Sequence, residues 1–277
     1  MSLPDRAPFS DLQSLIRTVT WPVMAETGQA LIRTFNDDDA DSFTICRIIK
    51  KDPALTATLL RMANSALFGL SGSVDTLERA VSVVGLARVR SQALALCMAR
   101  VSHFPAGMDR MAFWHYSLRC AGYAHWLADL CSVDDQEAWL CGMMLRLGSL
   151  SLVQARPHCL AQLEALPVTP GERWLRQRAL IGFDEGEVTA ELVQHWDFPL
   201  ALVLGMRYCA QPLISKQFSR LAGVVHLAAH LADSGPVSTQ SVEQLPGLLM
   251  QMMQLDPATL LSPPDESRLT DISMFVE

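Results

Sequence analysis

Ile48-Ile49-Lys50-Lys51-Asp52-Pro53-Ala54-Leu55-Thr56-Ala57-Thr58-Leu59-Leu60-Arg61-Met62-Ala63-Asn64-Ser65 carries its own punctuation. Asp52-Pro53 marks a helix start. The Asp side chain accepts from the orphan amides of the first turn, and a proline at the first helical position has no amide to leave unpaired. Leu55, Leu59, Leu60 and Met62 then recur at helical spacing, and Asn64-Ser65 ends the run. The segment Thr76-Leu77-Glu78-Arg79-Ala80-Val81-Ser82-Val83-Val84-Gly85 repeats the design. Thr76 caps a short helix and Gly85 closes it, because glycine takes a left-handed turn at little steric cost.

The same signals extend in both directions. Pro22 in a first turn opens a helix to about Phe35, which the Asn36-Asp37-Asp38-Asp39 cluster ends, and Asp41 or Ser42 caps the next, to about Lys50. Downstream, a helix over 87–100 meets a break at His103 to Gly107, which contains Pro105. Helices follow over 109–131, 135–154, 184–196, 199–209 and 215–233, with joints at Arg156-Pro157 and Pro167 to Gly171. A Met/Leu helix occupies about 242–254, and Pro257 and Pro263-Pro264 mark a poorly ordered end. No run alternates in the manner of a strand, and only three tyrosines are present. The expected fold is an all-α multi-helix bundle. An N-terminal helical lobe (about 12–102) packs on a C-terminal lobe (about 108–233), and 234–277 forms an extension. Because both halves are apolar, they should share a broad interface.

The chain has 277 residues, of which 50% are hydrophobic and 18% charged. A typical soluble domain has about 25% charged residues, so this one is apolar for its class. Disorder is excluded, since there is ample apolar surface to offset chain entropy. Apolar stretches such as 93–99 and 199–206 fall short of the ~20 residues needed to span a bilayer. No basic start followed by an apolar block suggests a secretory signal, and Met1-Ser2-Leu3 is compatible with an expression leader. With 22 Lys+Arg against 29 Asp+Glu, the net charge is −7, which disfavours a nucleic-acid partner. The seven cysteines (46, 97, 120, 131, 141, 159 and 209) form no CxxC pair and read as reduced core thiols of a cytoplasmic protein.

Motifs for chemistry are few. Neither GxxxxGK[ST] nor GxGxxG nor GxSxG occurs. His226 and His230 are four apart and share a helix face, a spacing that can hold a metal. His-Leu-Ala-Ala-His offers no Glu base and no evident third ligand, so surface or interlobe histidines are the simpler reading. His115 and His125 read as partly buried, hydrogen-bonded rings. Arg173, Arg176 and Arg178 read as a solvated helix face with some capacity for phosphate. Asp184, Glu185, Glu187 and Glu191 read as an exposed acidic face suited to a partner, or as carboxylates favouring a helix N-terminus. Met143-Met144 read as core. Met250, Met252 and Met253 are balanced between packing and partner contact.

Taken together, the quoted segments resemble the bacterial HDOD domain, a relative of the HD phosphohydrolases. Asp52, Pro53 and Leu55 with Asn64-Ser65 are similar to its DPxL…LRxANS stretch, and 76–85 to the stretch that closes on Gly85. Trp114, Ser117 and Ala121 resemble its "W.hS…A" helix, and Trp196 with Pro199 its "W.lP" corner. The likeness covers roughly 12–233, and these signature residues read as structural. In catalytic relatives, a His, a His-Asp pair and a later Asp hold metal that activates water against a phosphoester. Carried over, His115 fits the first His, whereas Arg146-Leu147 stand at the pair. The later "dH" and "Hh" positions hold Asp184-Glu185 and Tyr208-Cys209, and Val225 to His230 supplies no Asp. An arginine repels a metal and has no lone pair to give.

The resemblance therefore implies a non-catalytic signal-transduction module, without cofactor, that binds a partner protein or a small regulatory ligand. Proteins with receiver or cyclic-dinucleotide domains are the implied partners. No such domain is attached, so the partner acts in trans or the chain is a fragment. Arg146 either holds an anion or, by preference, pairs with an internal acid. Arg146, His115, His226, His230 and the four carboxylates from Asp184 to Glu191 are the candidate contacts. The alternative is a degenerate metal-dependent phosphohydrolase with a rearranged site of His115, His226 and His230.

Overall fold

The computed structural model describes residues 9–37, 39–65, 73–214 and 218–265. Met1-Ser2-Leu3 and the end of the tail lie outside them. Helices make up the regular structure, and no strand occurs among the described residues.

The quoted stretch forms as its caps dictate. Helix α1 is Leu12–Ile16, α2 Glu26–Arg33, α3 Ser42–Ile49 and α4 Pro53–Ala63. The Asp52 carboxylate accepts from Leu55 N at 2.8 Å, and its other oxygen takes Arg100 Nη1 at 2.6 Å. One residue thus starts α4 and ties it to a later helix. Asn64 ends α4 and clamps the returning chain: its side chain accepts from Val74 N and donates to Val74 O, both at 2.7 Å. Thr76 caps α5 (Leu77–Val84). Gly85, at φ +96°, lets the chain turn 117° into α6 (Leu86–Val101).

After the 102–108 break, α7 (Arg110–Cys131) packs against α8 (Asp135–Met144) and α14 (Arg220–Ser234). Between them in sequence lie α9 (Leu147–Ala155), α10 (Leu160–Leu163), α11 (Glu172–Ile181), α12 (Glu185–His195) and α13 (Leu200–Arg207). The extension adds α15 (Thr239–Glu243) and α16 (Gly247–Met253). One apolar cluster runs from Met24 through Trp114 and Val225 to Leu260, so helices before and after the break share a core. A smaller cluster seats Leu15 and Val19 of the N-terminal segment on Leu152, Val153, Ile181 and Val188.

Four expected elements differ. Pro22 does not open a helix: its carbonyl accepts from Trp196 Nε1 at 3.0 Å, and α2 begins only at Glu26. The helix expected over 135–154 is broken at Leu145-Arg146. Thr189 holds the break, its hydroxyl donating to Leu145 O and accepting from Gly148 N, both at 2.8 Å. The last long helix starts at Arg220 rather than 215, where Ser219 accepts from Ala222 N; 215–217 lie outside the described residues. The Met/Leu helix is two short ones, because Pro246 cannot continue α15. Met250 and Met253 pack inward while Met252 is exposed.

The segment Asp135–Ala155 is long and apolar enough to cross a membrane on length and composition, but it is interrupted between α8 and α9 and mostly buried in the fold. All seven cysteines are free and buried. Burial raises the thiols of Cys97 and Cys131 to about 11, which leaves them protonated and unreactive at neutral pH.

Gly148 is where α9 meets α12. A Cβ there would stand 2.1 Å from Glu185 O, a backbone atom that cannot step aside. Gly148→Ala is expected to cost about 2–3 kcal/mol, read as a lower urea midpoint at unchanged slope. An unchanged midpoint would contradict this packing.

Candidate functional site

The break after α8 turns Arg146 inward. Its side chain is 4% exposed and its Nη2 donates to both carboxylate oxygens of Glu164, at 2.8 and 2.6 Å. Its Nε lies 3.8 Å from Glu185 Oε2. The guanidinium also stands 5.3 Å from the ring centres of both Phe113 and Tyr116.

A second buried arginine joins it. Arg173, on α11, pairs with Asp233 of α14 at 3.5 Å and lies 4.8 Å from the Tyr116 ring centre. Asp233 also accepts from Gly171 N at 3.2 Å. Glu185 is fully buried at the first position of α12, and Gln177 brackets it by donating to Oε2 (3.1 Å) and accepting from its amide (2.9 Å). The centre is thus two guanidiniums facing three carboxylates around one tyrosine ring.

Burial is the largest influence on Glu185, Asp233, Arg173 and Tyr116. It raises the carboxyls of Glu185 and Asp233, with Arg173 pulling both back. Burial alone would lower Arg173, but Glu185, Tyr116 and Asp233 outweigh it and hold the guanidinium charged. The Tyr116 phenol is pushed well up and stays protonated. Among the described residues, Arg146 Nε, Arg173 Nε, Glu185 Oε1 and Asp233 Oδ1 lack hydrogen bonds, which leaves donors and acceptors for ordered water.

The sequence resemblance would put the metal-ligand pair of catalytic relatives at Arg146-Leu147. The residues present do not fit a metal. Arg146 offers no lone pair and repels a cation, and Arg173 adds a second positive charge. The carboxylates that a metal would need are turned to the arginines instead. Among the described residues, no group of three His, Cys, Asp or Glu could hold a metal ion.

Several expected site residues lie elsewhere. His115 is exposed, and Tyr116, one residue on, takes the inward position. His115 is therefore not part of the buried site, because a step of one residue turns a helical side chain by about 100°. His226 and His230 are not surface residues either. They are buried on α14 against Trp174, whose ring centre is 5.2 and 5.8 Å from theirs. Arg173 is not on a solvated face, whereas Arg176 pairs with Glu172 and donates to the carbonyls of Gln162 and Ala165.

The acidic face is not an exposed one: its first two carboxylates are buried and the other two half-buried. Asp184 and Glu185 are buried, Arg178 pairs with Asp184 (2.7 Å) and Glu187 (3.3 Å), and Arg207 pairs with Glu191 (2.8 Å). Asp184 caps α12 by accepting from Glu187 N, which is the helix-start role its position suggested. Of the signature residues, Trp114 and Ser117 are buried on α7, and Trp196 reaches across to Pro22.

Leu147, beside Arg146, lines a separate cleft of about 380 Å³. Thr20, Pro22, Phe104, Leu150 and Trp196 form much of its wall. It lies where the N-terminal segment, the 102–106 break, α9 and α12 meet.

Comparison with known proteins places this geometry. A family model described as HDOD domain matches residues 21–212, and the chain belongs to that family. HDOD domains are a generally non-catalytic relative of the HD enzymes. An uncharacterized protein of Treponema pallidum (strain Nichols) is 27% identical over 184 residues, covering 64% of this chain and 35% of that protein. The match thus spans about a third of that relative's length. A candidate phosphohydrolase of Shewanella amazonensis SB2B superposes with TM-score 0.71 at 25% identity, covering 95% of this chain and 94% of the other. A protein from Marinobacter aquaeolei VT8 named for signal transduction gives TM-score 0.75 at 21% identity, with 96% and 61% covered. An HDOD domain protein of unknown function from Geobacter sulfurreducens gives 0.73 at 17%, with 96% and 100% covered. These two show the fold alone.

Proposed function

We propose that the chain is a non-catalytic, cytoplasmic signal-transduction module, in which the HD-type metal site has become a buried arginine–carboxylate cluster. The observation that carries this reading is Arg146, a buried cation with Glu164 and Glu185 as its counter-charges, at the position where the sequence resemblance puts the metal-ligand pair. Signalling is supported by the family and by the name of the Marinobacter fold relative. The module binds a partner protein of a bacterial signalling pathway or a small regulatory ligand. The cleft beside Leu147 is of a size that suits a small molecule and joins the two expected lobes at the 103–108 break.

The name of the Shewanella structure favours the other reading, metal-dependent phosphoester hydrolysis. That reading needs His115, His226 and His230 together, and the exposed His115 stands apart from the buried pair. A hydrolysis assay separates the two. With Mn²⁺, Ni²⁺ or Fe²⁺ present, the purified chain is expected to cleave neither bis(p-nitrophenyl) phosphate nor a cyclic dinucleotide faster than buffer. Metal-dependent turnover that disappears in a His226→Gln, His230→Gln variant would overturn the proposal.

A further inference from the structure

We propose that the cleft beside Leu147 binds an uncharged, mainly aromatic small molecule that carries a hydrogen-bonding group. This rests on the reading of the cleft as the module's ligand site and adds the chemistry of the ligand. The floor is one face of α9. Leu147, Leu150, Ser151 and Gln154 stand at i, i+3, i+4 and i+7 and all line the cleft. The floor is therefore apolar toward the start of the helix and polar toward its end.

Ser151 is 6% exposed, and its hydroxyl has no hydrogen-bond partner among the described residues. A helical serine commonly turns its hydroxyl onto a carbonyl of the preceding turn, as Ser149 does onto Arg146 O at 2.8 Å. Gln154 adds a second group. Its Oε1 accepts from Thr20 N at 3.0 Å, which leaves the NH₂ of the same amide to donate into the cleft. A carbonyl or amide on the ligand meets both, and so satisfies a buried hydroxyl that the fold leaves unpaired.

The walls are aromatic and already fixed. Trp196 is held by its Nε1 bond to Pro22 O, and Phe104 by edge-on contacts with Phe113 (5.0 Å between ring centres) and Trp114 (6.0 Å). Rings ordered before binding reduce the entropy lost in the complex.

Charge is missing from the lining. None of the described residues that form it is Asp, Glu, Lys or Arg, and His103 among them is exposed. The arginines flanking α9 are engaged elsewhere, Arg146 with Glu164 and Arg156 with the His158 ring. Arg110 stands 5.7 Å from the Phe104 ring centre but does not line the cleft. A phosphate or carboxylate calls for arginine or lysine, so a nucleotide or an organic acid would enter with its charge unpaired. At about 380 Å³ the cleft lies near the lower end of the ~300–1,000 Å³ of ligand sites, which suits a compact bicyclic body.

Calorimetric titration of the full chain with 2-naphthamide and 2-naphthoate tests the site, because the two share a shape and differ in charge. The amide is expected to bind at a single site, at least tenfold more tightly than the acid. Ser151→Ala should weaken the amide about threefold or more, and Leu150→Trp, which fills the cleft, should abolish its binding. Equal binding of the acid, no binding of either, or binding indifferent to both substitutions overturns the proposal. Should the variants fail to fold, a wild-type crystal soaked in 2-naphthamide decides: density in the cleft with the amide group on Ser151 supports the site, and density elsewhere or none refutes it. Tight binding of the acid in this cleft removes the neutral ligand class and leaves the signalling reading standing, whereas metal-dependent hydrolysis removes that reading without altering the naphthamide result.

Discussion

Arg146→Ala is expected to lower the stability of the folded chain by about 3–5 kcal/mol. The loss comes from what remains behind. Glu164 is left without its bidentate partner, and the fully buried Glu185 keeps only Arg173 as a cation in the cluster. A carboxylate stripped of its counter-charge in the interior costs more than the pair contributed while intact. Removing charge from both sides should cost less. The double variant Arg146→Met, Glu185→Gln replaces ions by groups of similar volume and should recover most of the loss in urea unfolding. Equal loss in the single and double variants would mean that Arg146 matters through packing against Phe113 and Tyr116, not through charge.

Acid should destabilise the protein through the histidine pair. Burial lowers His226 from 6.5 to about 4 and His230 to about 3, and the Cys209 carbonyl offsets only part of the shift at His226. Below pH 6.5 the unfolded chain takes up protons at both rings while the folded chain does not, so stability falls as pH falls. By pH 4 the loss is on the order of 3 kcal/mol for each ring. Asp184 acts in the opposite sense. Burial, helped by Glu187, raises it from 3.8 to about 6 against the pull of Arg178. Its ionised form is therefore a liability above pH 6, and protonation between pH 6 and 3.8 returns about 3 kcal/mol. Glu185 and Asp233, also raised by burial, act in the same sense as Asp184, so the histidine share is read as a difference: between pH 6.5 and 4, His230→Gln should lose about 3 kcal/mol less than the wild type. The same limb in both proteins would show that His230 is not held neutral by the fold.

The fold was legible because its signals are local. Asp52-Pro53, Thr76 and Gly85 act within one turn of backbone, and each does in the structure what its chemistry requires. The misread elements depend on distant atoms. Pro22 gives its carbonyl to Trp196, and Thr189 of α12 holds open the break before α9. The site divides in the same way. The preference of Arg146 for an internal acid could be read from the motif. Its partner Glu164 could not, because it arrives from a short helix end with no periodicity to mark it.

Asp233 carries a signal in the sequence, standing three residues after His230 on the same helix face. The acidic run from Asp184 to Glu191 was misread because composition alone does not place counter-charges. Arg178 and Arg207 come from neighbouring helices to neutralise it.

The central claim is that arginine has displaced metal chemistry at the HD-type site. Crystals of the full chain soaked in Mn²⁺ and measured at the manganese absorption edge test it most directly. The predicted result is an Arg146 guanidinium seated on Glu164, with no anomalous peak between Glu185 and Asp233. A manganese peak bridging those two carboxylates, with Arg146 swung away, would contradict it.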